Sequence, residues 1–157
     1  MKKIKYLVMD VDGTLTDGKL YIGPKGEEFK AFNIKDGAGI AEILPLLNIT
    51  PVIITGRNSE IVQRRCEELK ITAYVQGAKN KLNTLKEIVK DLGTVAYMGD
   101  DLNDLECMQC VKEAGGIVGT PKDAVDEIIN IADFVSKKKG GNGAVRDFIE
   151  YLAKGNF

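Results

Sequence analysis

The chain has 157 residues, 44% of them hydrophobic, which is enough for a packed core without disulfides. Its 22 basic and 23 acidic residues leave a formal charge of −1, so the totals do not point to a general binder of nucleic acids or membrane surfaces. Histidine is absent, which excludes a Ser-His-Asp or Cys-His triad, imidazole acid–base chemistry and imidazole zinc sites; carboxylates, lysine, hydroxyls or a metal must carry any catalysis.

In chain order, Ile4 to Met9 reads as a buried strand. Gly18 to Phe32, GKLYIGPKGEEFKAF, has two strand-like runs around a Gly-Pro-Lys-Gly turn and predicts an inserted β-hairpin over about 18–33. Such a hairpin needs a third surface, so Leu20, Tyr21, Ile22, Phe29 and Phe32 are expected to pack on something, another subunit included. Ala38 to Leu47 reads as a helix that Pro45 should kink or shorten. Strands are then expected at Val52 to Thr55, Ala73 to Val75, Val95 to Met98 and Gly116 to Val118. Helices are expected at Ser59 to Leu69, Lys81 to Leu92, Leu102 to Glu113, Asp123 to Ile129 and Ala144 to Leu152. This alternation predicts one α/β domain over residues 1–157: a mainly parallel sheet covered by helices on both faces, with ligands bound beyond the strands' carboxyl ends. Lys137 to Gly143, KKKGGNG, reads as a basic, flexible connection opening a tail over about 137–157.

Three cysteines, Cys66, Cys107 and Cys110, are too few for a disulfide framework, and the start MKKIKYLVMD lacks the apolar length and cleavage site of a secretion signal. No run approaches the roughly 20 apolar residues that span a bilayer, and the expected setting is the cytoplasm. Cys107 and Cys110 form a CxxC inside a predicted helix without a second pair, which favours core packing over zinc.

Chemistry should follow strand ends. DVDGTLTDG, Asp10 to Gly18, comes directly after the first strand; on an extended backbone Asp10 and Asp12 project to one side and can share a cation or flank one substrate atom, though Asp-Gly is also an ordinary turn. MGDDLND, Met98 to Asp104, places Asp100, Asp101 and Asp104 at another strand end, where a carboxylate can ligate a metal or cap the next helix. Hard oxygen donors from two loops suit Mg²⁺. IITGR, Ile53 to Arg57, and GAKNKL, Gly77 to Leu82, each end a strand and open a helix, so backbone N–H groups with Arg57 or Lys81 can hold an anion.

The order of these pieces resembles the haloacid dehalogenase-like phosphatases. Asp10, Asp12 and Thr14 match the DxDx(T/V) motif, Thr55 the second-motif threonine, Lys81 the third-motif lysine, and Gly99, Asp100 and Asp104 the acidic GDxxxD. Longer stretches, DVDGTLTDGKLYIGPKGEEFKAFNIKDGAGI, IITGRNSEIVQRRCEELKI, VQGAKNKL, AYMGDDLNDLECM and GGNGAVRDF, are similar to the family's small capless branch that acts on 2-keto-3-deoxy sugar acid phosphates. The resemblance implies a Rossmann-like three-layer sandwich with an inserted hairpin and no large cap, assembled as a cytoplasmic homotetramer in which a neighbour's glycine-rich tail helps close the site. It implies Mg²⁺ held by Asp10, the Asp12 carbonyl and Asp100, with Asp101 or Asp104 orienting its waters. Asp10 is then the nucleophile and Asp12 the general acid–base, while Thr55 and Lys81 bind the phosphoryl group, with Lys81 also holding Asp10 and Gly56 among the substrate-binding residues. Arg57 and Arg146 are the candidates for the sugar acid's carboxylate.

The implied reaction is hydrolysis of 3-deoxy-D-manno-octulosonate 8-phosphate through an aspartyl-phosphate, in lipopolysaccharide synthesis; Arg57 resembles the eight-carbon group, where nine-carbon enzymes tend to carry Glu. Alternatives are a nine-carbon substrate, 2-keto-3-deoxynononate or N-acetylneuraminate 9-phosphate, and a noncatalytic tetramerisation module. A phosphotransfer receiver is disfavoured, because Asp10 follows the first strand and Asp12 stands beside it.

Overall fold

The structure, a computed structural model, describes residues 3–155. Strand β1 (Tyr6–Met9) leads into a small antiparallel hairpin, β2 (Tyr21–Gly23) and β3 (Gly26–Phe29), with a register shift between Tyr21 and Ile22. Five further strands, β4 (Thr50–Ile54), β5 (Ala73–Val75), β6 (Val95–Met98), β7 (Ile117–Thr120) and β8 (Phe134–Val135), join β1 in one parallel sheet of order β5-β4-β1-β6-β7-β8. The two-residue β8 was not foreseen; it is too short to show a periodicity.

The helices are α1 (Ile34–Ala38), α2 (Leu44–Leu47), α3 (Glu60–Glu68), α4 (Lys81–Ile88), α5 (Leu102–Glu113), α6 (Asp126–Ile131) and α7 (Ala144–Ala153). Strand alternation divides the core. Leu7, Met9, Ile53, Ala96 and Met98 face one side, with Val62 and Cys66 of α3 and with Val145, Phe148, Ile149 and Leu152 of α7. Val8, Val52, Ile54, Tyr97 and Val118 face the other, with Leu82 and Leu85 of α4, Met108 and Val111 of α5, and Ile128 of α6. Each Val, Leu, Ile, Phe and Met side chain among these gains about 1.5–3 kcal/mol from leaving water, so the sheet is stabilised from both faces as its near-continuous apolar strands predicted.

The helix expected from Ala38 begins earlier, where Asn33 caps α1 by accepting from the Lys35 N–H. Pro45 does not simply end it. Between α1 and α2 the backbone widens into a π-helical turn, Gly39–Ile43, and Leu44 N–H bonds the Gly39 carbonyl. Proline cannot donate to a residue four positions back, and the wider turn absorbs that missing bond. Similarly α4 stops at Ile88, not Leu92, and Leu92–Thr94 forms a separate 3-10 turn capped by Asp91.

Pairing register sets the site. Met9 is level with Ile53 on β4 and with Met98 on β6, so the residues that follow, Asp10, Thr55 and Gly99 to Asp100, leave the sheet at one edge.

The Lys137 to Gly143 stretch is not the flexible connection that its composition suggested. Gly140 N–H bonds Asp123 Oδ1 at 2.9 Å and Gly141 N–H bonds the Thr14 carbonyl at 3.2 Å. A Cβ on Gly140 would collide with the Gly13 carbonyl, so here glycine permits two backbones to touch.

Candidate active site

Asp10 lies just past β1, but Asp12 does not continue an extended strand as expected. The chain turns at once: the Val11 carbonyl accepts N–H bonds from Thr14, Leu15 and Thr16 at 2.9–3.1 Å. Gly13 sits at φ +91°, and a side chain there would run into the Asp100 carboxylate. Asp10 and Asp12 still reach one cleft of about 140 Å³, lined also by Thr55, Gly56, Arg57, Asp101 and Asn103.

The second acidic loop divides its labour. Asp101 caps α5, its Oδ1 accepting from Leu102 N–H at 2.8 Å, within a reciprocal box with Asp104. Asp100 turns toward the first loop, where its Oδ1 accepts from the Thr14 hydroxyl at 2.9 Å. Asp104, fully buried, accepts from Lys81 Nζ and the Tyr97 hydroxyl at 2.9 Å each on Oδ1, and from Asp100 N–H at 3.1 Å on Oδ2. Lys81, 5% exposed, bridges to Asp10 Oδ1 at 2.9 Å.

Asp10, Asp100 and Asp104 each bring one carboxylate oxygen within 4.8 Å of the others. Against three carboxylates stands one ammonium, so with all three ionised two negative charges go unmatched among these four side chains. The strain registers in their proton affinities. Burial first, then the Asp104 charge, pushes Asp10 up to about 6 although Lys81 pulls the other way. Burial and then the Asp10 charge push Asp100 up to about 8. Lys81 itself rises: burial disfavours its charge, but Asp10 and Asp104 outweigh it. A hard divalent cation fits this donor set, because it would cancel the excess charge and accept oxygen ligands from both loops.

Thr55 follows β4 directly and is nearly fully buried, and Gly56 and Arg57 form the turn ahead of Ser59, which caps α3. Arg57 stands at the cleft mouth with half its side chain exposed. Arg146 is not brought to this cleft within the chain. Its Nε bonds Glu150 at 2.7 Å, and its backbone N–H bonds Asp36 Oδ1 at 2.8 Å, fastening the start of α7 to α1. The CxxC is core, as expected: Cys107 is buried, Cys110 half-buried, and neither is bridged.

Several participants escaped the sequence reading. Lys30 Nζ lies 2.6 Å from Asp12 Oδ1, and Glu27 lies 3.1 Å from Lys30 and 3.7 Å from Arg57. Tyr97 was visible in principle: a hydroxyl in a wholly buried strand must find a partner, and this one precedes the acidic loop.

No family model matches the chain. Among known proteins, 3-deoxy-D-manno-octulosonate 8-phosphate phosphatase of Escherichia coli (strain K12) is 42% identical over 155 residues, covering 96% of this chain and 80% of that protein. The phosphatase of the same name from Yersinia pestis is 39% identical over 95% of this chain and 79% of its own length. Among solved structures, that of the Moraxella catarrhalis 3-deoxy-D-manno-octulosonate 8-phosphate phosphatase, in complex with magnesium ion, phosphate ion and KDO, superposes with a TM-score of 0.87 at 39% identity, over 96% of this chain and 86% of that one. The cobalt-bound enzyme of Haemophilus influenzae gives a TM-score of 0.87 at 33% identity, over 97% of this chain and 88% of that one. With identity at this level sustained over nearly the whole chain, on the same doubly covered parallel sheet, the chain belongs to the 3-deoxy-D-manno-octulosonate 8-phosphate phosphatase family of the haloacid dehalogenase-like superfamily.

Proposed function

We propose that this cleft hydrolyses 3-deoxy-D-manno-octulosonate 8-phosphate to the free sugar acid and phosphate, with Mg²⁺ as cofactor and Asp10 as nucleophile. The observation that carries the assignment of the nucleophile is Asp10 itself: a buried carboxylate at the edge of β1, held on one oxygen by Lys81 at 2.9 Å and opening on the cleft beside Asp12. In this reading Asp10 forms a bond to phosphorus as the bond from phosphorus to the sugar oxygen breaks, and Asp12 delivers the proton that the departing oxygen requires. Asp12, now a carboxylate, takes a proton from a water whose oxygen attacks the aspartyl-phosphate. Inorganic phosphate leaves and Asp10 is regenerated.

Lys81 keeps Asp10 oriented and, with Thr55 and Gly56, holds phosphoryl oxygens. Mg²⁺, when bound by Asp10, the Asp12 carbonyl and Asp100, supplies charge neutralisation between the nucleophilic carboxylate and the phosphoryl group. Asp104 acts one step back through its bonds to Lys81 and to the Asp100 backbone. Arg57, at the mouth, is the candidate for the sugar acid's carboxylate.

The cleft of about 140 Å³ is small beside the roughly 300–1,000 Å³ of typical ligand pockets, which leaves the far end of an eight-carbon substrate outside it. The hairpin beside it exposes Leu20, Ile22 and Phe29 by 48%, 66% and 55%. Both features support a homotetramer in which hairpins pack together; light scattering of the purified protein tests this, and a monomer at micromolar concentration removes it. A cytoplasmic setting belongs to the same reading, in keeping with three unpaired cysteines. No helix among the described residues is long and apolar enough to cross a membrane.

The deciding experiment is phosphate release with Mg²⁺ from the matched eight-carbon and nine-carbon 2-keto-3-deoxy sugar acid phosphates, with Asp10→Asn as control. A kcat/KM ratio strongly favouring eight carbons is expected. Preference for nine carbons overturns the substrate but keeps the chemistry, and release from neither overturns the enzyme.

A further inference from the structure

Of the two buried lysines among the described residues, Lys81 and Lys30, the reaction gives a task only to Lys81. Lys30 follows β3, on an inserted hairpin where a lysine would ordinarily reach into water, yet its side chain is only 2% exposed. An ammonium is strongly disfavoured out of water unless anions meet it. Two do: Asp12 Oδ1 at 2.6 Å and Glu27 Oε2 at 3.1 Å.

Glu27 is fixed in turn, accepting from the Ser59 hydroxyl at 3.2 Å and standing 3.7 Å from Arg57 Nη2. The other oxygen of Asp12 lies 4.0 Å from Arg57 Nε. Two carboxylates and two cations therefore balance in one chain of contacts that runs from the hairpin, across the cleft mouth, to the cap of α3. Lys81 has no part in it; that lysine serves Asp10 and Asp104.

We propose that Lys30 is a positioning residue for the acid–base carboxylate: its ammonium holds Asp12 Oδ1, so that Oδ2 alone is turned to the oxygen that leaves the phosphoryl group. The inference deepens the proposed function and rests on Asp12 as the acid–base. A carboxyl group swings about its last torsion between two nearly equivalent arrangements, and a proton on the wrong oxygen cannot reach the leaving group. The clamp removes that choice. It also explains why the insert returns to the sheet edge where it does: β3 must deliver Lys30 and Glu27 to the motif loop.

The test compares leaving groups. Lys30→Met keeps the length of the side chain and removes the ammonium. Its kcat/KM for the eight-carbon sugar acid phosphate is expected to fall about 100-fold, at the low end of what general acid catalysis supplies. For p-nitrophenyl phosphate, whose phenolate departs without a proton, the fall should stay within about 3-fold, and phenyl phosphate should lie between, since only the proton-requiring step is touched. Lys30→Arg should recover most of the loss. In an Asp12→Asn background, Lys30→Met should change the sugar acid phosphate rate little, because the partner through which it acts is gone.

An equal loss on all three substrates, or an undiminished loss in the Asp12→Asn background, overturns the proposal in favour of a purely structural lysine. Full activity of Lys30→Met overturns it outright. If that variant does not fold, Glu27→Gln, which loosens Lys30 without removing it, must show the same ordering of phenyl over p-nitrophenyl phosphate losses; a uniform loss there overturns the proposal equally. Failure of the wild type to release phosphate from the sugar acid phosphate is a separate outcome, and it overturns the proposed function and this inference together.

Discussion

Replacing Asp100 by Asn should stabilise the protein in the absence of metal and destroy its response to Mg²⁺. Asp10 and Asp100 carry oxygens no more than 4.8 Å apart, and at an effective dielectric of about 20 two unit charges at that separation repel by about 3 kcal/mol. Lys81 offsets part of this from the Asp10 side, leaving about 2 kcal/mol as a working figure. Asparagine keeps the acceptor for the Thr14 hydroxyl, so the replacement removes charge without orphaning a donor. The sign follows from Asp100 being pushed up to about 8 when folded, against 3.8 for an ordinary Asp. A raised acid binds its proton more tightly in the folded state, so its contribution is fully present below about pH 4 and is lost as pH rises toward 8. Metal-free wild type should therefore lose stability across that window, and Asp100→Asn should lose less. By thermal melting at pH 8 in chelator, the variant should melt about 4–8 °C higher, at roughly 2–4 °C per kcal/mol for a chain of this size. With Mg²⁺ at a hundred times its Kd the wild type gains about 2.7 kcal/mol by linkage and the variant little, so the order reverses. A variant that melts no higher than wild type in chelator, or that gains as much from Mg²⁺, refutes the reasoning.

Asp10→Asn should abolish steady-state turnover while the circular dichroism spectrum and cooperative melt remain; measurable phosphate release from that variant removes Asp10 as nucleophile. Lys81→Met should cost about 3–5 kcal/mol in urea unfolding at pH 7 without metal, since it leaves the buried Asp10 and Asp104 charges without a counterion. The deficit should shrink toward pH 5, because Asp10, raised to about 6 even with Lys81 pulling it down, takes up its proton more readily still without that lysine; a loss under about 1 kcal/mol at pH 7 contradicts the ion-pair account. Gly140→Ala should lower the melting temperature and kcat together, because a methyl there strikes the Gly13 carbonyl and lies 2.9 Å from the Thr16 carbonyl, displacing the loop that carries Asp12. Unchanged values of both would show that the 137–143 stretch yields without disturbing the motif.

Asp10, Thr55 and Asp100 were legible because each comes just after a strand of near-uniform apolar character, and Lys81 because it opens the helix that follows β5; parallel pairing puts all these strand ends at one edge. What the spacing misjudged was the path of the chain. Asp10 and Asp12 share a cleft through the tight turn under the Val11 carbonyl, an arrangement that a period of two does not describe. Lys30 stayed hidden for a different reason. Beside Glu27 and Glu28 it reads as part of a solvated charged face, and only the fold of the hairpin shows it turned inward. Composition misled likewise at Lys137 to Gly143: glycines that imply freedom in isolation here allow backbone to lie against backbone.

Asp104 shows how such a site reconciles charge with order. Its side chain receives Lys81, Tyr97 and the backbone N–H groups of Asp100 and Asp101, the last a long contact at 3.4 Å. Four donors converge on two oxygens, and an ionised carboxylate has about four acceptor positions for them, whereas asparagine would turn an amide donor toward donors already there. The charge at this position is therefore needed by its own neighbours, and of the three clustered carboxylates Asp104 has the least capacity left for a metal. Asp10 and Asp100 keep more: Lys81 meets the first at 2.9 Å and the Thr14 hydroxyl the second at 2.9 Å, neither carrying the four donors of Asp104. A cluster that geometry alone presents as a three-carboxylate ligand set thus resolves into two ligands and a frame, the frame fixing Lys81 and the Asp100 backbone while the ligands retain the unmatched charge that makes a cation bind.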